Sequence, residues 1–256
     1  MRKSFKYLAF SMGLLACALF CQSCLDDEED SAVMESILGA YSTLGTVVDT
    51  EDILVESDSY GLLSPVNKAD FVGYADSVGQ RVLMEMNFVE QDPVYANDSI
   101  LPVKVLRLYK VLSKNADDVR DMASDMSEEY GSDPVRISAV SLGKSYLNIQ
   151  FHILGYDQNI AHRISLLLTD ETTIDPDGLV RVELRHSLEG DREQEPFWGV
   201  VSFKLSSIPE CGDPAFKGFR IVCDNGSSVQ EVTVTRSTPN GSVRAAGYVR
   251  PLGNAR

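Results

Sequence analysis

The sequence predicts an all-β protein interrupted by a single short connecting helix. Three observations carry that expectation. Apolar residues make up 44% of the 256, alongside 18 Gly and 10 Pro, which suits a folded core cut by many turns. From Ala40 onward the apolar residues fall in short runs bounded by Gly, Pro, Asn and Asp. After Pro134 seven such runs follow one another at the spacing of a β-sandwich.

The first 23 residues read as a leader, with a basic start (Arg2, Lys3, Lys6) and an apolar run from Tyr7 to Phe20. That run is shorter than the roughly 20 residues a membrane span needs, and it fits a signal-peptide core. Ser23-Cys24 follows and resembles a lipobox, in which Cys24 becomes the acylated first residue of the mature chain. Leu14-Leu15-Ala16-Cys17 is a better local match, but cleavage there would leave a hydrophobic stub, so Cys24 is preferred. Asp26, Asp27, Glu28, Glu29 and Asp30 then form a like-charged run. Such a run repels itself and stays extended, so residues 24–38 read as a tether. The same five acids resemble the surface-export signal of Bacteroidetes-type lipoproteins.

In residues 39–115 the clearest strands are Tyr41–Val48, Ile53–Ser57, Gln80–Val89 and Val103–Leu112. Val82, Met84, Met86 and Phe88 alternate with other residues, the period of a strand with one buried face. Residues 103–112 place apolar side chains on both faces, as a strand covered on two sides would. Residues 116–134 form the connector: Val119, Met122, Met126 and Tyr130 recur at helical spacing, and Gly131-Ser132-Asp133-Pro134 stops the helix.

The sandwich occupies 135–236, with strands expected at Val135–Leu142, Ser145–Gly155, Ala161–Thr169, Leu179–Ser187, Phe197–Ser206, Phe216–Cys223 and Val229–Arg236. Leu147, Ile149, Phe151 and Ile153 share one face of the second of these, and Asn148, Gln150 and His152 share the other. Gly143-Lys144, Pro176-Asp177-Gly178 and Asn225-Gly226 supply turns. Residues 237–256 show no sustained period and read as a loosely held tail.

Charge narrows the partners. The chain has 23 Lys+Arg against 38 Asp+Glu, and three of the basic residues belong to the leader. Nucleic acid is therefore disfavoured as a partner, since phosphate affinity comes largely from Lys and Arg neutralisation. A polybasic grip on anionic lipid is disfavoured too. The expected membrane contact is the acyl group on Cys24.

The order of several short motifs resembles a known family. Leu44-Gly45-Thr46-Val47 and Gly79-Gln80-Arg81-Val82-Leu83 come first, then Ser145-Tyr146-Leu147-Asn148-Ile149-Gln150-Phe151 and His162-Arg163-Ile164-Ser165-Leu166. Val182-Glu183-Leu184-Arg185-His186-Ser187, Gly190-Asp191 and Gly199-Val200-Val201-Ser202-Phe203 complete the series. Behind a lipoprotein leader, this is similar to the NigD-like lipoproteins of Bacteroidales. The resemblance implies an N-terminal OB-like barrel followed by the seven-stranded C-terminal β-sandwich. The family's name comes from a bacteriocin-associated operon, the basis for an immunity role proposed for it.

Chemistry is harder to find. His152, His162 and His186 lie on expected strands without metal-ligand spacing, and satisfied structural histidines are the simpler reading. His152 and His162 are candidates for cross-strand neighbours. His162, Asp191 and a serine can be written as a triad, yet no GxSxG supports it. Asp175-Pro176-Asp177-Gly178 lacks the spacing of a calcium loop and reads as a turn. In Phe197-Trp198, core packing of one ring and partial exposure of the other is expected. No cofactor is expected, and the chain is read as a non-enzyme.

Two modifications are expected beyond lipidation. Ser31, Ser77 and Ser99 sit in Asp-Ser-aliphatic triplets that resemble the O-glycan acceptor of Bacteroidetes. Cys211 and Cys223 are the only thiols left after export, which points to a disulfide, with two buried free thiols as the alternative.

The functional reading is a non-enzymatic, lipid-anchored outer-membrane protein exposed at the cell surface. It works as a binding module whose envelope protein or glycan partner is open. A bacteriocin immunity protein is the alternative, and an accessory protein of glycan handling a weaker third.

Overall fold

The computed structural model describes residues 41–89, 99–121, 129–236 and 250–251. The leader, Cys24, the acidic run, Ser31 and nearly all of the expected tail lie outside those residues. So does most of the connector helix. Within the described part of the connector, Tyr130 is helical, and Gly131 leaves the turn at φ 74°. Asp117–Asp118, expected to open the helix, instead forms a two-residue strand, because its backbone pairs with Leu167–Leu168.

Five strands make the first half: β1 (Tyr41–Asp49), β2 (Leu54–Ser57), β3 (Gly61–Pro65), β4 (Arg81–Phe88) and β5 (Ile100–Lys114). β1 pairs antiparallel with β2 and β4, β2 with β3, and β4 with β5. β3 then pairs parallel with β5, closing the ring in the order 1-2-3-5-4. By its pairings the ring is a small five-stranded barrel. Val47, Val55, Leu63, Val82, Met84, Met86, Val103 and Val105 fill its interior.

The alternation in β4 holds through Met86 and then fails. Phe88 is 36% exposed and packs edge-on against Tyr41 and Tyr60 outside the barrel. Nor does β4 have only one buried face, since Arg81 and Leu83 are buried as well. The second half of the protein covers them. In β5 the pairing with β4 slips between Met86 and Glu85, which face Val105 and Arg107. The extra residue, Leu106, shifts the pleat, so that Leu108 points inward while Tyr109 and Val111 point outward.

All seven expected sandwich strands form: β7 (Arg136–Leu142), β8 (Tyr146–Gly155), β9 (Arg163–Leu168), β10 (Leu179–Ser187), β11 (Glu195–Lys204), β12 (Gly218–Asp224) and β13 (Val229–Thr235). One sheet runs β7-β8-β11, and the other β13-β12-β10-β9 ends on β6, the Asp117–Asp118 strand. Leu147, Ile149, Phe151, Phe197, Val201 and Phe203 of the first sheet meet Ile164, Leu166, Val182, Leu184, Phe219 and Ile221 of the second.

β5 belongs to both halves. Its last residues, Leu112–Lys114, pair parallel with Val201–Phe203 of β11, so barrel and sandwich share one continuous sheet. A short last strand, β14 (Arg250–Pro251), pairs parallel with Phe197 and Trp198 on β11.

The expected disulfide does not form: Cys211 and Cys223 are free. The reason lies in the β12–β13 hairpin. Cys223 pairs with Gln230 at one end, and its thiol donates to the Val135 carbonyl at 3.2 Å. Cys211 feels the charge of Arg236, at the other end, where the Arg236 amide bonds Lys217 and Gly218 pairs with Thr235. Five residues of extended strand, about 17 Å, therefore separate the ends the two thiols serve.

Candidate functional site

Where the barrel rests on the outer face of β8 and β11, polar residues meet in the dark. Arg81 on β4 reaches Asp58 with two prongs, Nη1 to Oδ1 at 2.8 Å and Nη2 to Oδ2 at 2.6 Å. Its remaining donors meet Thr46 at 3.1 Å, Asn148 at 3.0 Å and Ser202 at 3.3 Å. Asn148 in turn donates to Asp58 and Ser141, and Ser202 donates to Asn148 at 2.7 Å. The Tyr146 ring stacks on the guanidinium at 4.4 Å. A buried charge is costly unless paired and fully bonded, and this one is both. Asn148, expected on a polar outer face, is buried within this network, and Gln150 of the same face is buried as well.

Beside this seam β5 and β11 separate, and a cleft of about 620 Å³ opens between them. Trp198 and Tyr109 meet edge to face at 5.6 Å along its wall. The floor depends on Gly199: a Cβ there would stand 2.5 Å from the Phe151 ring, so only glycine lets the cleft reach that ring. Two polar atoms of its lining residues are buried with no hydrogen-bond partner among the described residues, Trp198 Nε1 and Ser113 Oγ. Arg81, Lys110 and Lys204 line it; Arg81 is paired with Asp58, and Lys110 with Asp76 at 2.6 Å. Neither aromatic of the Phe197-Trp198 pair is exposed as expected. Phe197 enters the sandwich core, and Trp198, one residue on, faces the barrel at 4% exposure.

A second polar chain is buried at the far end of the sandwich. Asp191 Oδ2 lies 3.2 Å from His162 Nε2, His162 Nδ1 lies 3.0 Å from His186 Nε2, and His186 Nδ1 donates to the Pro134 carbonyl at 3.1 Å. Asp191 also accepts from the backbone amides of Tyr156 and Asp157. Burial pushes Asp191 up, but those amides, that of Arg192 and His162 outweigh it and hold the carboxyl at about 2. Burial pushes His186 down to about 4, helped by the charge on His162. With three hydrogen bonds to satisfy, the two rings share three N–H protons. Burial keeps the His186 ring neutral near pH 7.

The His162–Asp191 pairing expected for a triad is thus present, but its third member is His186 rather than a serine, and the chain ends on a carbonyl. His152 is not the neighbour of His162; it pairs with Arg136 and Trp198 across the other sheet. Asp175 and Asp177 are held in their turn by Arg220, as a structural turn requires. Among the described residues no cluster of His, Cys, Asp and Glu is arranged to hold a metal. Ser77 and Ser99 are both exposed. Neither cleft nor relay was singled out in the sequence; only Trp198 and the His162–Asp191 pair hinted at them.

A closed five-stranded barrel fused through a shared strand to a β-sandwich, with a polar seam between them, defines the class of protein. Residues 118–235 match the NigD-like C-terminal beta sandwich domain, so the second half of this chain is a NigD-like sandwich domain. Solved structures share the fold. A protein of unknown function (DUF1344) from Bacteroides vulgatus is 18% identical, with a TM-score of 0.64, over 85% of this chain and 100% of its own. A protein described as toxin-related from Parabacteroides distasonis is 24% identical, TM-score 0.56, over 77% and 94%. A NigD-like immunity protein from Bacteroides caccae is 17% identical, TM-score 0.52, over 76% and 92%. No curated protein matches.

Proposed function

We propose that this chain is a non-enzymatic binding module, anchored to the outer membrane through acylated Cys24 and displayed at the cell surface by the run Asp26–Asp30. One observation supports the binding half: Trp198, in the wall of the cleft between β5 and β11, carries a buried indole N–H with no hydrogen-bond partner among the described residues. An orphaned donor costs free energy that a ligand acceptor would recover. The non-enzymatic half is supported by the relay, whose terminal nitrogen is committed to the Pro134 carbonyl where a triad needs a hydroxyl. Exposure of Ser77 and Ser99 is compatible with O-glycans at those positions, facing outward with the rest of the module.

Hydrogen exchange tests the cleft. Full-length protein in native outer-membrane vesicles is compared with purified protein. Protection of Tyr109–Ser113 and Trp198–Val200 in the vesicles is the expected result, and identical exchange in both would overturn the binding reading. Cys24→Ala should release the protein from the membrane, and retention would refute the anchor. A second reading, immunity against a bacteriocin at the envelope, draws on the NigD-like family and on the neighbour described as an immunity protein. It predicts that deleting the gene sensitises cells to a toxin made by the same strain.

A further inference from the structure

Burial gives way along the outer face of β8. Asn148 and Gln150 are buried there, His152 is half-buried, and Leu154 is 41% exposed. Arg136 on β7 stands opposite His152, and a hollow of about 330 Å³ opens beside the pair. Both edges of β8 are held by described strands, β7 and β11, and β14 lies only across the far edge of β11. The walls of the hollow are mostly apolar, with Pro134, Val135, Ile153, Leu154 and Pro196. Its base is held from beneath. Pro134 accepts from His186, and Asp191 ties the Tyr156 and Asp157 amides to the loop that carries Glu193.

We propose that this hollow binds a small monocarboxylate, an acid with an aliphatic or aromatic body of about ten heavy atoms. Arg136 supplies the charge. It is exposed, no carboxylate pairs with it among the described residues, and its charge is felt at His152. Its neighbour Arg192, by contrast, lies against the Tyr156 ring at 3.7 Å. A guanidinium presents a planar fork that matches a carboxylate, and an imidazole beside it can donate to the same group. The apolar walls take the body of the acid. Glu193 is the one acid among the described lining residues, and its charge repels a ligand with a second carboxylate. None of the described lining residues is shared with the β5–β11 cleft, so the site stands apart from the binding reading above.

Of the three histidines only His152 lies outside the buried relay, so its ring reports the hollow in proton NMR. The full chain is titrated with 3-phenylpropionate at pH 7, and the Cε1–H signal of His152, assigned through His152→Gln, is followed. The expected result is a saturable shift and a rise in the His152 midpoint, since a bound carboxylate favours the protonated ring. Arg136→Gln should weaken binding about tenfold, with Arg136→Lys, which keeps the charge and loses the fork, in between. Adipate should bind only to Glu193→Gln, and 2-phenylethylamine to neither protein. The inference is overturned by an unmoved His152 signal, by undiminished binding to Arg136→Gln, or by equal binding of the amine. Tighter binding of an acetylated dipeptide ending in phenylalanine would make the ligand a protein C-terminus and overturn the small acid as well.

Discussion

Arg81 of the barrel and Asn148 of the sandwich meet at 3.0 Å, with Arg81 1% exposed and Asn148 fully buried. Through that contact the ion pair of Arg81 and Asp58 becomes part of the seam between the two halves. Replacing Arg81 by Leu leaves the Asp58 carboxylate, 17% exposed, without its countercharge and with a lost pair of hydrogen bonds. Urea unfolding should show a loss of about 3–5 kcal/mol, with much of it recovered when Asp58→Leu is added. A loss confined to a few tenths would mean that the seam is not held there.

The relay makes stability depend on pH. His186 is pushed from 6.5 to about 4, so the unfolded chain binds the extra proton between those values. Stability is therefore full above pH 6.5 and falls as the pH drops toward 4, by on the order of 3 kcal/mol in total. Asp191, depressed from 3.8 to about 2, contributes above 3.8 and loses its share only as the pH falls through about 2. His152, lowered by burial and Arg136, adds to the upper slope, so the measurement belongs in a His152→Gln background. There, His186→Asn should flatten the slope in urea midpoints. An unchanged slope would place the proton elsewhere.

Gly199→Val forces a side chain onto the Phe151 ring, which a Cβ alone would approach to 2.5 Å. Overpacking of this kind costs about 1–3 kcal/mol. The same change fills the floor of the cleft, so Trp198 emission should shift in the folded protein. A variant with native stability and native emission would show that Phe151 has room to move.

Burial pushes the Cys211 thiol up to about 12 and Cys223 to about 11, so both are inert when folded. Titration with a thiol reagent, without reduction, should find neither in the native protein and both after unfolding. Two thiols silent after unfolding would restore the disulfide.

The strands were legible where burial follows one rule. The seven sandwich strands alternate or run apolar between turn residues, and all seven form. β3, Gly61–Pro65, escaped notice because Gly-Leu-Leu-Ser-Pro is too short to show a period and ends on a residue that usually closes strands. The burial of Arg81, Asn148 and Ser202 was illegible for a different reason. Polar residues on an alternating strand signal water, and only the tertiary stacking of barrel on sandwich replaces water with partners. The cleft likewise arises from the divergence of β5 and β11, whose paired residues Leu112 and Val201 lie 89 positions apart in the sequence, a separation no local pattern encodes.

The central claim is that the β5–β11 cleft is engaged on the surface of the cell. A photo-crosslinking residue at position 204, exposed on the rim, tests it on intact cells, with position 229 on β13, 72% exposed, as the remote control. The account predicts a discrete adduct from 204 and none from 229. Equal labelling at the two positions, or none at 204, would contradict it.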